Sequence, residues 1–75
     1  MKVLFFGRLK EIVGTPELKI DSVDDIESLR KVLIEKFPKL KDEVFAIAVN
    51  YEIINGNIPL DRNDEIALLP PIAGG

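Results

Sequence analysis

The sequence predicts an α+β fold in which one main helix packs across one face of a mixed five-stranded sheet. Three observations carry that expectation. Both ends of the 75-residue chain hold short, nearly continuous apolar runs, the pattern of strands covered on two faces. One amphipathic helix signal lies between them. A period-two stretch follows the helix, as a half-covered strand requires.

The first run is Lys2-Val3-Leu4-Phe5-Phe6, closed by Gly7. Val3 and Phe5 point one way and Leu4 and Phe6 the other. From Arg8 to Thr15 the pattern is mixed, and Leu9, Ile12 and Val13 at helical spacing suggest a short turn or lid before Gly14 and Pro16. Glu17 to Ile20 then alternates polar and apolar residues like an edge strand, forming an antiparallel hairpin with the first strand across a long loop. The main helix has Asp24 placed as N-cap and Glu27 three residues on, an acidic variant of the capping box. Ile26, Leu29, Leu33 and Phe37 form its buried stripe, while Glu27, Arg30, Lys31 and Glu35 stay in water. Pro38 stops it. The charge run from Lys36 to Glu43 is expected to be a solvated connection.

Phe45, Ile47 and Val49 then share one face of a strand, with Ala46 and Ala48 on a shallow second face. Asn50-Tyr51 turns the chain into a short strand around Ile53-Ile54, and Asn55-Gly56 supplies the left-handed conformations of a tight turn. Pro59 and Asp61-Arg62-Asn63-Asp64 make a polar loop before the last strand, Glu65 to Leu69. The two doubly apolar runs belong side by side in the sheet centre. That order is the ubiquitin-like β-grasp layout, a single domain over residues 1–75 with 70–75 as an extended tail.

Composition narrows the chemistry. The chain has no histidine and no cysteine, which removes thiolate and imidazole metal ligands, the base of a Ser-His or Cys-His pair and a neutral-pH proton shuttle. No metal or bound cofactor is expected. A net charge of −3 argues against nucleic acid, which demands a basic stripe. No apolar run approaches the roughly 20 residues of a membrane span, and Met1 opens into a strand without a signal-peptide layout. A cytoplasmic protein is expected.

With reactive side chains so scarce, a chain terminus becomes the candidate reactive group. Residues Ile66 to Gly75 carry no charged side chain, although charges make up 31% of the chain. Pro70 and Pro71 lack backbone donors, so they end the ladder and hold an extended path. Beyond them, Ile72 and Ala73 are small enough for a groove, and Gly74-Gly75 have no side chains. Six extended residues from Pro70 reach about 20 Å. Such an arm can thread its terminal carboxylate into another protein's active site, through a tunnel that admits only backbone.

The opening Lys2-Val3-Leu4-Phe5-Phe6-Gly7-Arg8-Leu9-Lys10-Glu11-Ile12-Val13-Gly14, the central Ala48-Val49-Asn50 and the closing Asp64-Glu65-Ile66-Ala67-Leu68-Leu69-Pro70-Pro71-Ile72-Ala73-Gly74-Gly75 closely resemble the small subunit of molybdopterin synthase, the MoaD family. The resemblance covers essentially the whole chain. The related thiamine-pathway sulfur carriers, the ThiS family, share the fold and the Gly-Gly end but usually lack the Pro-Pro pair and the long first loop. The resemblance implies a sulfur carrier whose Gly75 carboxylate is adenylated by a ubiquitin-activating-like adenylyltransferase using ATP and magnesium. A sulfur donor then converts it to a thiocarboxylate. With Gly74 as its slim neighbour, Gly75 would enter the large synthase subunit and pass sulfur to cyclic pyranopterin monophosphate, building molybdopterin for the molybdenum cofactor. The catalytic side chains would lie on the large subunit, and two small subunits would flank a dimer of large ones in a heterotetramer. One departure is Arg62-Asn63-Asp64-Glu65 where this family often carries Asp-Gly-Asp-Glu. Asn63 is expected to tolerate the left-handed conformation of that glycine.

The sheet also implies a partner surface. If the helix covers Val3, Phe5, Ile47, Val49, Ile66 and Leu68, then Leu4, Phe6, Ala46, Ala48, Ala67 and Leu69 lie on the opposite face. Only the first loop is free to cover them; uncovered, they form an apolar patch that marks a docking site. Phe6 and Leu69, with Lys10 nearby and Pro70, Pro71 and Ile72 leading into the tail, are the expected contacts with the activating enzyme and the large subunit. Other readings remain open. They are a protein modifier joined through Gly75 to target lysines, a scaffold with an inert tail, and a sulfur carrier for thiamine or a tungsten-pterin.

Overall fold

The computed structural model describes residues 1–71. Its elements run β1 (Lys2–Phe5), α1 (Arg8–Val13), β2 (Glu17–Lys19), α2 (Ile26–Lys36), a 3-10 helix (Pro38–Asp42), β3 (Ala46–Val49), β4 (Glu52–Ile54) and β5 (Glu65–Leu69). The five strands form one sheet in the order β2-β1-β5-β3-β4. β1 and β5 run parallel, with Phe5 opposite Leu68, and the other pairs are antiparallel. The two terminal apolar runs are therefore neighbours, as expected, with β5 in the middle. This is the β-grasp layout.

Alternation along the strands sets the core. Val3, Phe5, Ile47, Val49, Ile66 and Leu68 point to one face and are buried there with Ile26, Leu29 and Leu33 of α2. Phe37, just past α2, meets Phe5 edge to face at 6.3 Å and 75°, a favourable arrangement of ring quadrupoles. No buried side-chain nitrogen or oxygen among the described residues lacks a hydrogen-bond partner.

Several sequence expectations shift in detail. The cap of α2 is Asp25, not Asp24. Asp25 is extended (φ −154°, ψ 177°) and its carboxylate accepts the Ser28 amide at 2.8 Å, whereas the Asp24 carbonyl accepts the Leu60 amide at 2.8 Å. Ser28, through its amide first, and then the Asn57 side chain hold the Asp25 carboxyl below its ordinary pKa, because their donors favour the charged form. Glu27 closes no box: its amide donates to Asn57 Oδ1 at 2.9 Å. The Arg8–Thr15 segment holds a true helix, and Leu9, 1% exposed, enters the core from it. The charged connection after α2 is likewise not wholly solvated, since Leu40 of the 3-10 helix is buried between exposed lysines.

Turn chemistry differs too. Asn50 (φ 51°) and Tyr51 (φ 71°) are both left-handed, the pair of conformations that a two-residue type I′ hairpin needs between β3 and β4. Gly56 is left-handed (φ 88°), but Asn55 and Asn63 are not. The Asn63 loop closes instead through carboxylates: Asp61 Oδ1 accepts the Asn63 amide at 3.1 Å, and Asp64 Oδ2 accepts the Asp61 amide at 2.7 Å. That donor, then the Asn50 side chain, lowers the Asp64 pKa.

Candidate functional site

The candidate site is the end of β5, where the tail leaves, together with the sheet face that α2 does not cover. Because β1 runs parallel to β5 and β3 antiparallel to it, the end of β1 and the start of β3 flank the same end of β5. There Phe5 pairs with Leu68 and Ala46 with Leu69. Phe6 extends the β1 side by donating its amide to the Leu68 carbonyl at 3.2 Å. Pro70 and Pro71 follow, and their missing amides stop further pairing.

Gly7 leaves room for the root of the tail. Its backbone (φ 55°, ψ −133°) lies where side chains are strained, and a Cβ there would stand 3.0 Å from Pro70 Cγ. Sequence reasoning treated Gly7 only as a strand end, because nothing local announces that a residue 63 positions later packs against it. Beside it, Arg8 Nε donates to Glu43 Oε1 at 2.8 Å and Nη2 donates to Oε2 at 3.2 Å. That paired acceptor pushes the Arg8 guanidinium pKa still higher than usual.

The outer face is apolar and open. α1 cannot cover it, because Leu9 anchors that helix in the core on the α2 side of the sheet. A groove of about 290 Å³ remains there, lined by Leu4, Phe6, Ala48, Tyr51, Ile53, Ala67 and Leu69, with Glu65 at its polar margin. Phe6 is 45%, Ile53 58% and Tyr51 92% exposed. Ala48, by contrast, is itself buried among these neighbours.

Phe6 and Leu69 thus meet in one groove, as the alternation implies. Lys10 does not line it; its side chain borders an adjoining depression with Leu4, Phe6 and Glu17. Pro70 is half-buried and Pro71 exposed. Ile72, Gly74 and Gly75 lie outside the described residues. Sequence reasoning missed Tyr51 and Ile53 as members of the face. The signal was present for Ile53, which pairs with Ala48 across β3 and β4 and so shares its face.

Among the described residues, no group of three or more carboxylates that could hold a metal ion occurs. No helix there is long and apolar enough to cross a membrane. What the geometry offers is a β-grasp body whose open apolar face adjoins Leu69 and Pro70, the root of the C-terminal segment.

Comparison with known proteins defines the group more closely. Residues 3–75 match the model of the ThiS family, and the chain belongs to that family. It is 40% identical over 81 residues to the molybdopterin synthase sulfur carrier subunit of Caenorhabditis elegans, spanning 100% of this chain and 96% of that one. Among solved structures, it matches a chain in the complex of subunits 1 and 2 of molybdopterin-converting factor from Helicobacter pylori. That match has 39% identity, a TM-score of 0.74 and coverage of 99% of this chain and 96% of that one. It also matches small archaeal modifier protein 1 from Methanosarcina acetivorans, with 31% identity, a TM-score of 0.83 and coverage of 99% and 94%.

Proposed function

We propose that this chain is the sulfur-carrier subunit of a molybdopterin synthase. The observation that carries the reading is the end-to-end match to relatives of that name. It is supported by an apolar face contiguous with the strand that leads into the tail. In the proposed sequence, the Gly75 carboxylate attacks the α-phosphorus of magnesium-bound ATP in the adenylyltransferase, and pyrophosphate leaves. Sulfide supplied by the donor then displaces AMP from the acyl carbon, giving the thiocarboxylate. Adenylation is the needed step because a free carboxylate is a poor electrophile. Docked on the large subunit in a heterotetramer, the thiocarboxylate sulfur attacks cyclic pyranopterin monophosphate, and water cleaves the acyl–sulfur bond to leave sulfur on the pterin and restore the Gly75 carboxylate. The side chains that catalyse each step belong to the partners, in keeping with a chain that has no histidine or cysteine.

Intact-mass analysis tests this reading. Incubation with the adenylyltransferase, ATP, magnesium and a sulfur donor should exchange one oxygen for sulfur, a gain of about 16 Da fixed by the two atomic masses. Adding the large subunit and pterin precursor should reverse it. An unchanged mass beside an enzyme active on its own carrier overturns the reading.

The likeness to an archaeal modifier protein favours a second reading, in which activated Gly75 is joined to lysine amines. Lysine peptides bearing this chain's C-terminal remnant in a cell digest are its signature.

A further inference from the structure

We propose that Arg8 and Glu43 are positioning residues that form a clasp across the root of the tail, holding Pro70 beside Gly7 so that Pro70 and Pro71 leave the sheet in a fixed direction. This deepens the sulfur-carrier reading and rests on it.

The topology makes the pair more than a surface contact. Arg8 stands three residues beyond the end of β1 and Glu43 three before the start of β3. These are the two strands that flank β5. Their side chains meet in two parallel hydrogen bonds of 2.8 and 3.2 Å, so the pair bridges the β5 end from which Pro70 emerges. Arg8 also directly follows Gly7, whose lack of a side chain leaves room for the Pro70 ring: a Cβ there would stand 3.0 Å from Pro70 Cγ. Glu43 is held by its own backbone, its amide donating to the Leu40 carbonyl at 3.1 Å, and Leu40 is fixed in the core. The chain of contacts therefore runs from the core through Leu40, Glu43, Arg8 and Gly7 to Pro70.

The energetics suit positioning rather than stability. Isolated exposed ion pairs contribute little, but a forked Arg–carboxylate pair fixes both partners in one geometry. Glu43 is the better-shielded side, 19% exposed against 71% for Arg8, so the carboxylate serves as the fixed post and the arginine as the arm that closes on it. An arm pre-aimed by its root loses less freedom on entering a tunnel, and that saving appears in binding rather than in the chemical step.

The test measures pyrophosphate release by the adenylyltransferase at varied concentrations of the full chain. Arg8→Gln and Glu43→Gln should each raise KM about threefold to tenfold with kcat nearly unchanged. The double variant should be no worse than either single one, and the exchange Arg8→Glu with Glu43→Arg should recover most of the loss. Amide relaxation at Leu69 reads the clasp without any enzyme: its order parameter should fall from about 0.85 toward 0.6 in either single variant. Unchanged KM and unchanged relaxation overturn the clasp. A rise in KM for Arg8→Gln but not Glu43→Gln also overturns it, because Arg8 would then contact the enzyme directly. If relaxation changes as expected but even the wild type is never activated, the carrier reading falls and the clasp stands.

Discussion

Tyr51 sits at φ 71° directly after Asn50 at φ 51°, and left-handed backbone disfavours any residue with a Cβ. The second position of a type I′ turn belongs to glycine, and Asn-Gly is its preferred pair. Tyr51 is also 92% exposed, so no packing offsets the strain. Asn50 instead carries the turn. Its amide donates to the Glu65 carbonyl at 2.8 Å, its Oδ1 accepts the Glu65 amide at 3.0 Å, and its Nδ2 donates to Asp64 at 2.9 Å. Tyr51→Gly should therefore stabilise the fold by about 0.5–1 kcal/mol, the relief of a left-handed side chain less the extra freedom of glycine when unfolded. Urea denaturation measures it, and a lower midpoint would mean the aromatic ring contributes contacts that the backbone does not reveal. A strained residue retained on the rim of an apolar groove fits a role in docking.

At the scale of elements, α1 and the 3-10 helix complete a core that α2 alone would leave open at one end. Leu9 and Leu40 are each 1% exposed and join Leu29 and Leu33 of α2 against the sheet. Leu40→Ala should thus cost about 2–5 kcal/mol, the same range as Leu33→Ala in the main helix. With a total of roughly 5–15 kcal/mol available to a domain, either variant should unfold at much lower urea than the wild type. A Leu40→Ala loss below that of an exposed-site substitution would return the segment to the solvated connection that its lysines suggest. The strands and α2 were legible because alternation and the helical stripe repeat over several residues. Leu40 was not, because one apolar residue among Lys36, Lys39 and Lys41 has no period to reveal it. The shift of the α2 cap from Asp24 to Asp25 has a similar origin: two adjacent aspartates give the same local signal, and the choice is made by Leu60, Ser28 and Asn57.

For the whole molecule, the sheet divides two tasks between its faces. One is filled by both helices and the 3-10 turn and supplies stability; the other stays open as a groove whose floor ends at Leu69, one residue before the tail begins. Tyr51 and Ile53 complete this second face from the β3–β4 hairpin; the part of it that β1, β3 and β5 supply was readable by alternation alone. Its openness was not, since only the direction taken by Leu9 decides whether α1 lies above or below the sheet. A partner that covers the groove would also receive the tail root, so docking and threading become one event. Phe6 is the place to separate docking from folding, because it lies outside β1, is 45% exposed and lines the groove beside Leu69. Phe6→Asp should lower the thermal transition by no more than about 8 °C, as expected for a substitution costing about 1 kcal/mol or less in a domain this small. On the proposed sulfur-carrier reading it should weaken binding to the large subunit and to the adenylyltransferase by about thirtyfold, the loss of a 2 kcal/mol aromatic anchor. Calorimetric titration of each partner with the folded variant decides it. Unchanged affinity for both would mean that the tail alone carries recognition and that the open face serves something else; loss with only one would mean that the two partners read different parts of the groove in turn.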